Sequence, residues 1–348
     1  MSYRGMSVLW ALRSPCNLGC DYCYFGTLEQ HRENPPTAPG QLSHLPAGDV
    51  SLAQITAFLR DIGDSGITRV FLAGGEPLIW PPIGTVINIL TAAGIDVVVC
   101  SNGIPLNRPE IRAMLLDAGV TAVSVSLDSH DPAVNDSHRP ARNRKHGWRD
   151  VVDGFTALRR DSDERGDALK MGIYTVIARH TVATLAGTAR FATQLGADYF
   201  VPQPISLDTD NVLYDELSLR AEDIDAVRAQ LDAIYRAGLA LELPEDRYPE
   251  QIVSTIRRDV QMMAGCFGGA QLAFIEPDGS VWPCPSRYRI ADVAGKAAQR
   301  SILTTTAAQL FPPSTSEGGD CPFFSRDCVS MWPLMGFEQL TPAGRDAR

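Results

Sequence analysis

The chain has 348 residues, of which 45% are hydrophobic and 21% are charged, so its composition is globular and excludes a disordered or low-complexity chain. At this length we expect one large domain or two smaller ones. The formal net charge of -10 excludes a general nucleic-acid binder, because such proteins present a basic surface.

The first apolar run of the chain is too short to be a targeting or membrane-spanning segment. It extends from Val8 to Leu12, only five residues, whereas a transmembrane helix needs about 20. We therefore expect a cytoplasmic protein that makes no contact with a membrane. In that reducing compartment, the eight cysteines are available as metal ligands.

Between residues 7 and 205, β-rich runs alternate with amphipathic helical stretches, which is the pattern of consecutive βα units around a parallel sheet. Helices are predicted behind a Ser51 or Asp49 cap and before Gly119 and Gly196. Six repeats predict an α/β fold with a partial (β/α)6 barrel, similar to an incomplete TIM barrel. The predicted strands cover residues 7–13, 67–73, 95–100, 120–128, 169–178 and 197–205, and the predicted helices cover 52–62, 111–118, 151–160 and 181–195.

The fourth predicted strand has two different faces. Ser124, Ser126 and Asp128 share one face, whereas Val123 and Val125 share the other. We expect the apolar face to pack against helices and the polar face to line the lumen of the barrel. Because βα folds bind ligands at the carboxyl ends of their strands, Asp128 is a candidate site residue.

Several ionisable side chains follow this strand, namely Asp128, His130, Asp131, Asp136 and His138. A carboxylate or imidazole in a partly dry pocket can have a pKa near neutrality and then act as an acid or a base. Asp128 and His130 are predicted as catalytic residues on this ground. The alternative is that most of this group are ordinary loop residues.

Two segments with different sequence patterns follow the barrel. A helix over 221–237, ending at Gly238, predicts a helical bridge. From Cys266 onward, Gly, Pro and aromatic residues predict a hairpin around the turn Pro277-Asp278-Gly279. We expect three units, with the barrel at 1–205, the bridge at 206–263 and a small Cys-rich domain at 264–348, and a Pro-rich loop over the barrel mouth at 34–46.

Three cysteines, Cys16, Cys20 and Cys23, follow the first predicted strand with the spacing C-x3-C-x2-C. A 4Fe-4S cluster held by cysteine alone uses four thiolates, so three of them leave one iron open to bind a small molecule. The alternative is that these residues bind zinc or pack in the core. Their spacing favours the cluster and indicates catalysis.

With Tyr22 inside it, the motif resembles that of the radical S-adenosylmethionine (SAM) superfamily, C-x3-C-x-Φ-C, where Φ is aromatic. The resemblance implies that SAM binds the open iron and is cleaved reductively to a 5′-deoxyadenosyl radical. That radical removes hydrogen from an unactivated carbon. The resemblance also places Tyr22 against adenine and implies a flavodoxin- or ferredoxin-type electron donor.

Other segments resemble the SAM-binding motifs of that superfamily. In Gly74-Gly75-Glu76-Pro77, at the end of the second strand, glycines admit a ligand close to the backbone and Glu76 can accept from the SAM ammonium. Arg179 is predicted either to hold the SAM carboxylate or to form a surface ion pair. The full set of predicted SAM contacts is Tyr22, Gly74, Gly75, Glu76, Pro77, Ser101, Asn102, Ser126, Asp128 and Arg179.

The remaining cysteines lie mostly in the last quarter of the chain. Cys266, Cys284, Cys321 and Cys328 resemble the ligands of the auxiliary-cluster domains called SPASM and Twitch, which implies one auxiliary 4Fe-4S cluster. A structural zinc is the alternative for four thiolates. Cys100 is left over, and it is either a packing residue or a catalytic donor of hydrogen atoms to a substrate radical.

The resemblance leaves the substrate open. A polar small molecule, such as a sugar, aminocyclitol or nucleotide of antibiotic biosynthesis, is favoured by the small C-terminal region. The basic run from Arg139 to Arg149 could hold its phosphate or dock the electron donor, or be a solvated loop. Because only fifteen residues precede Cys16, we expect no leader-peptide-binding domain there.

There are two alternatives to a small-molecule substrate. The first is modification of a ribosomally made peptide, which could add to an exposed sheet edge. The second belongs to a different class, a non-catalytic iron-sulfur electron carrier or a zinc-stabilised binding module.

Overall fold

The computed structural model describes residues 5–23, 49–142, 147–207, 211–257, 266–285, 300–313, 321 and 327–341. Within these residues, nine strands form one sheet in the order β6-β5-β4-β3-β2-β1-β7-β8-β9. The strands are β1 Met6–Arg13, β2 Ile67–Gly74, β3 Asp96–Ser101, β4 Ala122–Ser126, β5 Lys170–Ile177, β6 Tyr199–Pro204, β7 Leu272–Ile275, β8 Ser280–Trp282 and β9 Arg300–Ser301.

The first six strands run parallel and in chain order, so the predicted α/β partial barrel is confirmed. The predicted strand at 120–128 is two residues shorter at each end, and at its carboxyl end the chain leaves the ladder at Asp128. Leu127 donates its amide to the Tyr174 carbonyl at 3.0 Å, and the Asp128 amide donates to Asn135 Oδ1 at 3.0 Å. This departure turns the Asp128 side chain into the barrel mouth.

Helices connect the strands and cover the outside of the sheet. Ser51, rather than Asp49, caps the first of them by accepting from the Gln54 amide at 3.3 Å. No helix of the described residues has both the length and the hydrophobicity to cross a bilayer. The helices are α1 Leu52–Leu59, α2 Ile83–Ala92, α3 Pro109–Asp117, α4 Pro132–Ser137, α5 Trp148–Arg165, α6 Leu185–Gln194, α7 Tyr214–Leu217, α8 Ile224–Arg236, α9 Tyr248–Arg257, α10 Ala307–Leu310, α11 Asp327–Met335 and α12 Phe337–Leu340.

Alternate residues of the strands face two separate apolar layers. Val123 and Val125 belong to the layer between sheet and helices, together with residues of α1, α2 and α5. Ser124 and Ser126 face the lumen, as the alternation of polar and apolar residues predicts. The lumen is polar at the carboxyl ends of the strands and apolar deeper down.

The C-terminal residues extend the same sheet and fill its lumen. β7 pairs parallel with β1, with Phe274 opposite Leu9, and the predicted hairpin joins it to β8. Phe337 of α12 is fully buried and packs edge-to-face against Phe71 at 5.1 Å and Tyr199 at 5.5 Å between ring centroids. The predicted division into three units stays a prediction, and the Pro-rich stretch at 34–46 lies outside the described residues.

Replacement of Phe337 by Ala should destabilise the fold by about 3–5 kcal/mol, because a fully buried phenyl ring leaves a cavity in the lumen. Urea unfolding followed by circular dichroism measures this loss. Leu303→Ala is the control, since Leu303 is 49% exposed and its truncation should change stability by about 0.5 kcal/mol or less. Equal effects of the two changes would contradict the packing described here.

Candidate functional site

A cavity of about 240 Å³ opens at the carboxyl ends of the parallel strands, where βα folds place their ligands. The loops after β1 and β4 contribute Tyr22, Asp128 and Arg139 to its lining, β2 and β3 contribute Ala73 and Cys100, and α11 forms part of its wall. Its lining residues are Leu9, Tyr22, Ala73, Cys100, Ser124, Ser126, Asp128, Arg139, Tyr174, Val176, Gln203, Pro204, Ile205, Ser206, Ser330, Met331 and Leu334.

The loop after β1 carries the three predicted cluster ligands and is held to the segment before α5. Gly19 donates its amide to the Pro140 carbonyl at 2.9 Å, and Asp21 donates to the His138 carbonyl at 3.0 Å. The loop folds back on its own first cysteine, because the Leu18 amide points at Cys16 Sγ at 3.4 Å. Backbone hydrogen bonds therefore fix the path of this loop.

The chemistry of these donors fits an iron-sulfur cluster. Burial raises the pKa of Cys16, and the neighbouring Cys20 raises it further. Burial also raises the pKa of Cys20 to about 12, although the nearby Arg139 guanidinium opposes this. Without a metal, no three His, Cys, Asp or Glu side chains of the described residues have metal-coordinating geometry. The fit rests on three sulfur donors brought together by one short loop, near a buried positive charge.

Glu76 holds the motif after β2 to the segment after β3. Its carboxylate accepts from the Leu78 amide at 3.0 Å, from Ser101 Oγ at 3.0 Å and from the Asn102 amide at 2.7 Å. Burial raises the pKa of Glu76 to about 7, against the opposing effect of these donors. The side chain has no exposed surface, which favours a structural role, and its contact with the SAM ammonium stays a prediction.

The glycines of the motif let its backbone approach the cysteine loop. Gly74 has a φ of 119°, which is in the region that glycine tolerates. A Cβ on Gly75 would lie 2.2 Å from the Pro15 carbonyl oxygen, so any side chain there would collide with backbone. Pro77 begins a buried 3-10 turn, Pro77–Ile79, directly behind the motif. The backbone of residues 74–77 therefore forms a surface beside the loop that carries the three cysteines.

Ser101 and Asn102 are both nearly buried and join two loops. Ser101 Oγ accepts from the Gly103 amide at 3.0 Å while donating to Glu76. Asn102 Nδ2 donates to Asn17 Oδ1 at 2.6 Å and lies 3.7 Å from Cys16 Sγ. The predicted SAM contacts Ser101 and Asn102 thus lie next to the cysteine loop, while Ser126 lines the cavity itself.

Asp128 is the most highly connected polar residue of the rim. Its carboxylate accepts from Tyr22 Oη at 2.7 Å, from Arg139 Nη1 at 2.9 Å and from the Val176 amide at 2.7 Å, and the residue has no exposed surface. A carboxylate held by three donors, one of them its ion-pair partner Arg139, is not readily available to exchange protons with a substrate. This arrangement favours a positioning role for Asp128, and its action as an acid or base stays a prediction.

The structure places two other predicted site residues outside the cavity. His130 is exposed outside the cavity, and its ring Nδ1 lies 3.4 Å from Thr188 Oγ1. Arg179 forms the surface ion pair that was the alternative, with Glu222 at 3.0 Å and Asp223 at 3.4 Å. Neither side chain lines the cavity.

Arg139 is a site residue that the sequence did not predict. It belongs to a basic run that suggested an outward-facing patch, but its guanidinium is buried against Asp128. Arg142 donates to the Leu18 carbonyl at 3.0 Å, and Arg149 is exposed on α5, while residues 143–146 lie outside the described part. Arg139 lies eleven residues after Asp128, and nothing in the sequence around it indicates that its side chain is buried against that carboxylate.

The four later cysteines come together at the end of the hairpin. Cys266 is hydrogen-bonded to Cys321, and burial raises its pKa, with a further increase from Cys321 and Cys328. A Cβ on Gly268 would lie 3.4 Å from Cys266 Sγ and 3.6 Å from the sulfur of Cys284. None of the eight cysteines, all within the described residues, forms a disulfide. Sulfur donors from three segments thus meet in one place.

Comparison with known proteins agrees with this geometry. Residues 15–192 match the family model described as the Radical SAM superfamily. An AdoMet-dependent heme synthase from Methanosarcina barkeri is 24% identical over 292 residues, covering 80% of this chain and 76% of that protein. Mycofactocin maturase MftC from Mycobacterium ulcerans is 25% identical over 291 residues, covering 82% of this chain and 70% of that protein.

Solved structures share the fold. anSMEcpe with bound AdoMet gives a TM-score of 0.63 at 15% identity and covers 89% of this chain and 81% of that chain. Streptococcus suis SuiB bound to S-adenosylmethionine gives 0.60 at 16% identity and covers 86% of this chain, which spans only 63% of SuiB. These likenesses agree with the predicted partial-barrel fold. The chain belongs to the radical SAM superfamily and is an enzyme that uses S-adenosylmethionine.

Proposed function

We propose that this radical SAM enzyme modifies a peptide by removing a hydrogen atom from one of its carbon atoms. The single observation that carries the proposal is the charge balance of the cavity. Its charged lining residues among those described, Asp128 and Arg139, lie 2.9 Å apart and neutralise each other. The remaining lining groups are apolar side chains or neutral hydrogen-bonding groups such as Gln203 and Ser330.

A neutral cavity suits a peptide segment better than a phosphorylated or amino sugar. A phosphate needs cationic partners, and a charged amine needs a carboxylate; both are costly to bury without them. Peptide backbone and most side chains need only the neutral donors and acceptors that this wall offers. The small-molecule reading of the sequence is therefore less well supported, and its link to antibiotic biosynthesis stays a prediction.

The relatives support the same choice. MftC, which aligns with 82% of this chain, is a maturase of mycofactocin. Structures of the shared fold include SuiB bound to its precursor peptide SuiA and anSMEcpe bound to the Cp18Cys peptide, each with a TM-score of 0.62. Their low identity, 14%, makes this an argument from fold and not from site residues.

The peptide is expected to enter the cavity rather than to lengthen the sheet. Pro202 and Pro204 of β6 lack amide hydrogens, and the Phe200 amide already donates to the Glu242 carbonyl at 3.0 Å. The predicted addition of a strand is therefore not favoured at this edge. Entry past Gln203 and Ser206 would bring a peptide directly to the rim.

The cofactors would be held by residues of the rim. Cys16, Cys20 and Cys23 are the proposed ligands of the 4Fe-4S cluster. When bound, the cluster and SAM supply the 5′-deoxyadenosyl radical that abstracts hydrogen. The electron donor, of flavodoxin or ferredoxin type, stays a prediction. The proposed SAM surface is the backbone of residues 74–77 with Tyr22, Ser101, Asn102, Ser126 and Arg139, and Arg139 replaces Arg179 as the partner of the SAM carboxylate.

A tetrapyrrole is the second candidate substrate, because the heme synthase of Methanosarcina barkeri aligns over 80% of this chain. Its several carboxylates would need several cations, and the described cavity wall offers one, Arg139, which is already proposed to hold the SAM carboxylate. The peptide is therefore the better-supported substrate.

The substrate class is tested by deuterium transfer. Short peptides encoded beside the gene are produced in fully deuterated form and incubated with reconstituted enzyme, SAM and dithionite. We expect deuterium in the released 5′-deoxyadenosine, read by mass spectrometry, with a Cys16→Ala enzyme as the inactive control. Transfer from a deuterated sugar, nucleoside or porphyrin, and from none of the peptides, would reject the proposal.

Arg139→Lys should weaken SAM binding by about tenfold. Lysine keeps the positive charge that pairs with Asp128, but it lacks the planar guanidinium that binds a carboxylate with two hydrogen bonds. Arg179→Lys is the matched control and should bind SAM like the wild type, since Arg179 lies in an ion pair outside the cavity. Equilibrium binding of SAM to the reconstituted proteins measures both. A loss of SAM affinity in Arg179→Lys alone would assign the SAM carboxylate to Arg179 instead of Arg139.

The auxiliary site is tested by metal content. With two 4Fe-4S clusters, reconstituted protein should hold about eight irons per chain, and Cys266→Ser should hold about four. Cys100→Ser is the matched control and should keep about eight irons, because Cys100 lies apart in the cavity. About four irons together with zinc in the wild type would favour the zinc alternative.

A further inference from the structure

The helix α11 separates the catalytic cavity from a second concave surface. Met331 and Leu334 line the catalytic cavity, whereas Trp332 and Met335, each one position further along, line another cavity of about 340 Å³. A helix turns by about 100° per residue, so the two pairs face different sides of α11. The two cavities therefore share one helix as a wall.

A further cavity of about 480 Å³ adjoins this one, because Pro244, Glu245 and Gln339 line both. The two form one continuous groove between the end of α8, the start of α9 and the C-terminal helices. This rear groove is lined mainly by side chains from residues 234–248 and 332–340. It is long enough to hold several residues of an extended chain.

The rim of the rear groove carries more carboxylates than cations. Its charged side chains among the described residues are Glu245, Asp246, Arg247 and Glu338. Arg247 forms an ion pair with Glu245 at 3.2 Å, and Arg69 forms one with Glu338 at 3.4 Å. Asp246 is exposed and forms no ion pair with any part of the chain that the structure describes, so one negative charge of the rim is unbalanced.

The floor of the rear groove is aromatic and aliphatic. Tyr235 lies close to the acidic rim, because burial raises the pKa of its hydroxyl and the nearby Asp246 and Glu245 raise it further. Leu239 and Leu243 line the same floor and are partly exposed. A guanidinium or ammonium group binds favourably between a carboxylate and an aromatic ring, while its aliphatic stem packs on apolar side chains. The groove therefore has the chemistry to bind a basic side chain.

A fully buried hydroxyl of the groove lacks a hydrogen-bond partner. Tyr248 has no exposed surface and lines the groove, and its hydroxyl makes no hydrogen bond within the described residues. The neighbouring Tyr235 is satisfied, since its hydroxyl donates to the Pro244 carbonyl at 3.0 Å. Buried polar groups of native proteins almost always have partners, so the Tyr248 hydroxyl is an unused donor. A carbonyl of a bound peptide would supply its acceptor.

We propose that the rear groove binds a segment of the peptide substrate in which a basic side chain is flanked by apolar residues. The basic side chain pairs with Asp246, and a backbone carbonyl of the peptide accepts from Tyr248. The inference rests on the proposed function, because the occupant is the peptide that is modified at the catalytic cavity.

The position of the groove sets a spacing along the peptide. The nine residues of α11 make a helix about 14 Å long. An extended peptide covers that distance with about four residues. We therefore expect the basic residue to lie at least about four residues away from the residue that loses hydrogen.

The charge preference is tested with two model peptides that carry an uncharged BODIPY label, BODIPY-Gly-Leu-Arg-Leu-Arg-Leu-amide and BODIPY-Gly-Leu-Glu-Leu-Glu-Leu-amide. Fluorescence anisotropy with reconstituted holoenzyme and SAM measures both dissociation constants. The basic peptide should bind about tenfold more tightly than the acidic one, because the rim is acidic. Asp246→Lys should weaken binding of the basic peptide by about fivefold.

Asp225→Lys is the matched control for this charge reversal. Asp225 lies in the first turn of α8, nine residues before Ile234 of the groove, which is about 14 Å along the helix. Its affinity for the basic peptide should stay within about twofold of the wild type. Equal affinity of Asp246→Lys and the wild type, or equal binding of the two peptides, would overturn the proposal. A wild-type dimer that Asp246→Lys dissociates in sedimentation would make a second copy of the chain the occupant instead.

Tyr248→Phe tests the unused donor, because it removes the hydroxyl and keeps the ring. It should weaken binding of the basic peptide by about fivefold through loss of one hydrogen bond, and it should leave the urea midpoint unchanged or higher. Tyr235→Phe is the comparison and should lower the midpoint, since its hydroxyl is already bonded to Pro244. Unchanged peptide affinity with a lower midpoint in Tyr248→Phe would assign its hydroxyl to the fold alone.

Failure of this inference and failure of the proposed function give different results. With a peptide that transfers deuterium to 5′-deoxyadenosine, Asp246→Lys should raise KM by about fivefold without a matching loss of kcat, and Asp225→Lys should not. Deuterium transfer with equal KM in the two variants would reject the groove alone. Transfer from none of the peptides would reject the peptide as substrate, whatever the model peptides show.

Discussion

The buried carboxylate of Asp128 is the interaction on which the site depends. It joins the cysteine loop through Tyr22, the segment before α5 through Arg139, and β5 through the Val176 amide. A carboxylate removed from water is tolerated only when it is paired and hydrogen-bonded, and loss of one partner leaves an uncompensated charge. The contacts that neutralise the cavity wall are therefore the same contacts that set the position of the cysteine loop.

Much of the fold could be predicted from the sequence, because it depends on local patterns. The alternation of polar and apolar residues located the six parallel strands and assigned Ser124 and Ser126 to the lumen. Glycines with positive φ at Gly119 and Gly196 ended helices where the sequence indicated. The spacing of the first three cysteines was sufficient for the family, since one short loop supplies all of them.

The parts that could not be predicted depend on partners distant in the chain. Asp128 looked like a free acid because nothing near it in sequence shows that Tyr22 and Arg139 meet its carboxylate. Glu76 looked like a ligand for the same reason, although three donors from two loops already occupy it. The helices α2 and α9 were not predicted, and the parallel pairing of β7 with β1 has no local signal, because the two strands come from opposite ends of the chain.

The pairing of β7 with β1 has a consequence for how the molecule is assembled. β1 is made early during synthesis, yet one of its edges stays open until residues 272–275 have emerged from the ribosome. Until then an apolar strand with unsatisfied amides and carbonyls is exposed, which is a template for pairing with another chain. Contacts between such distant residues also form slowly. The nascent enzyme therefore passes through an interval in which the free edge of β1 can pair with another chain.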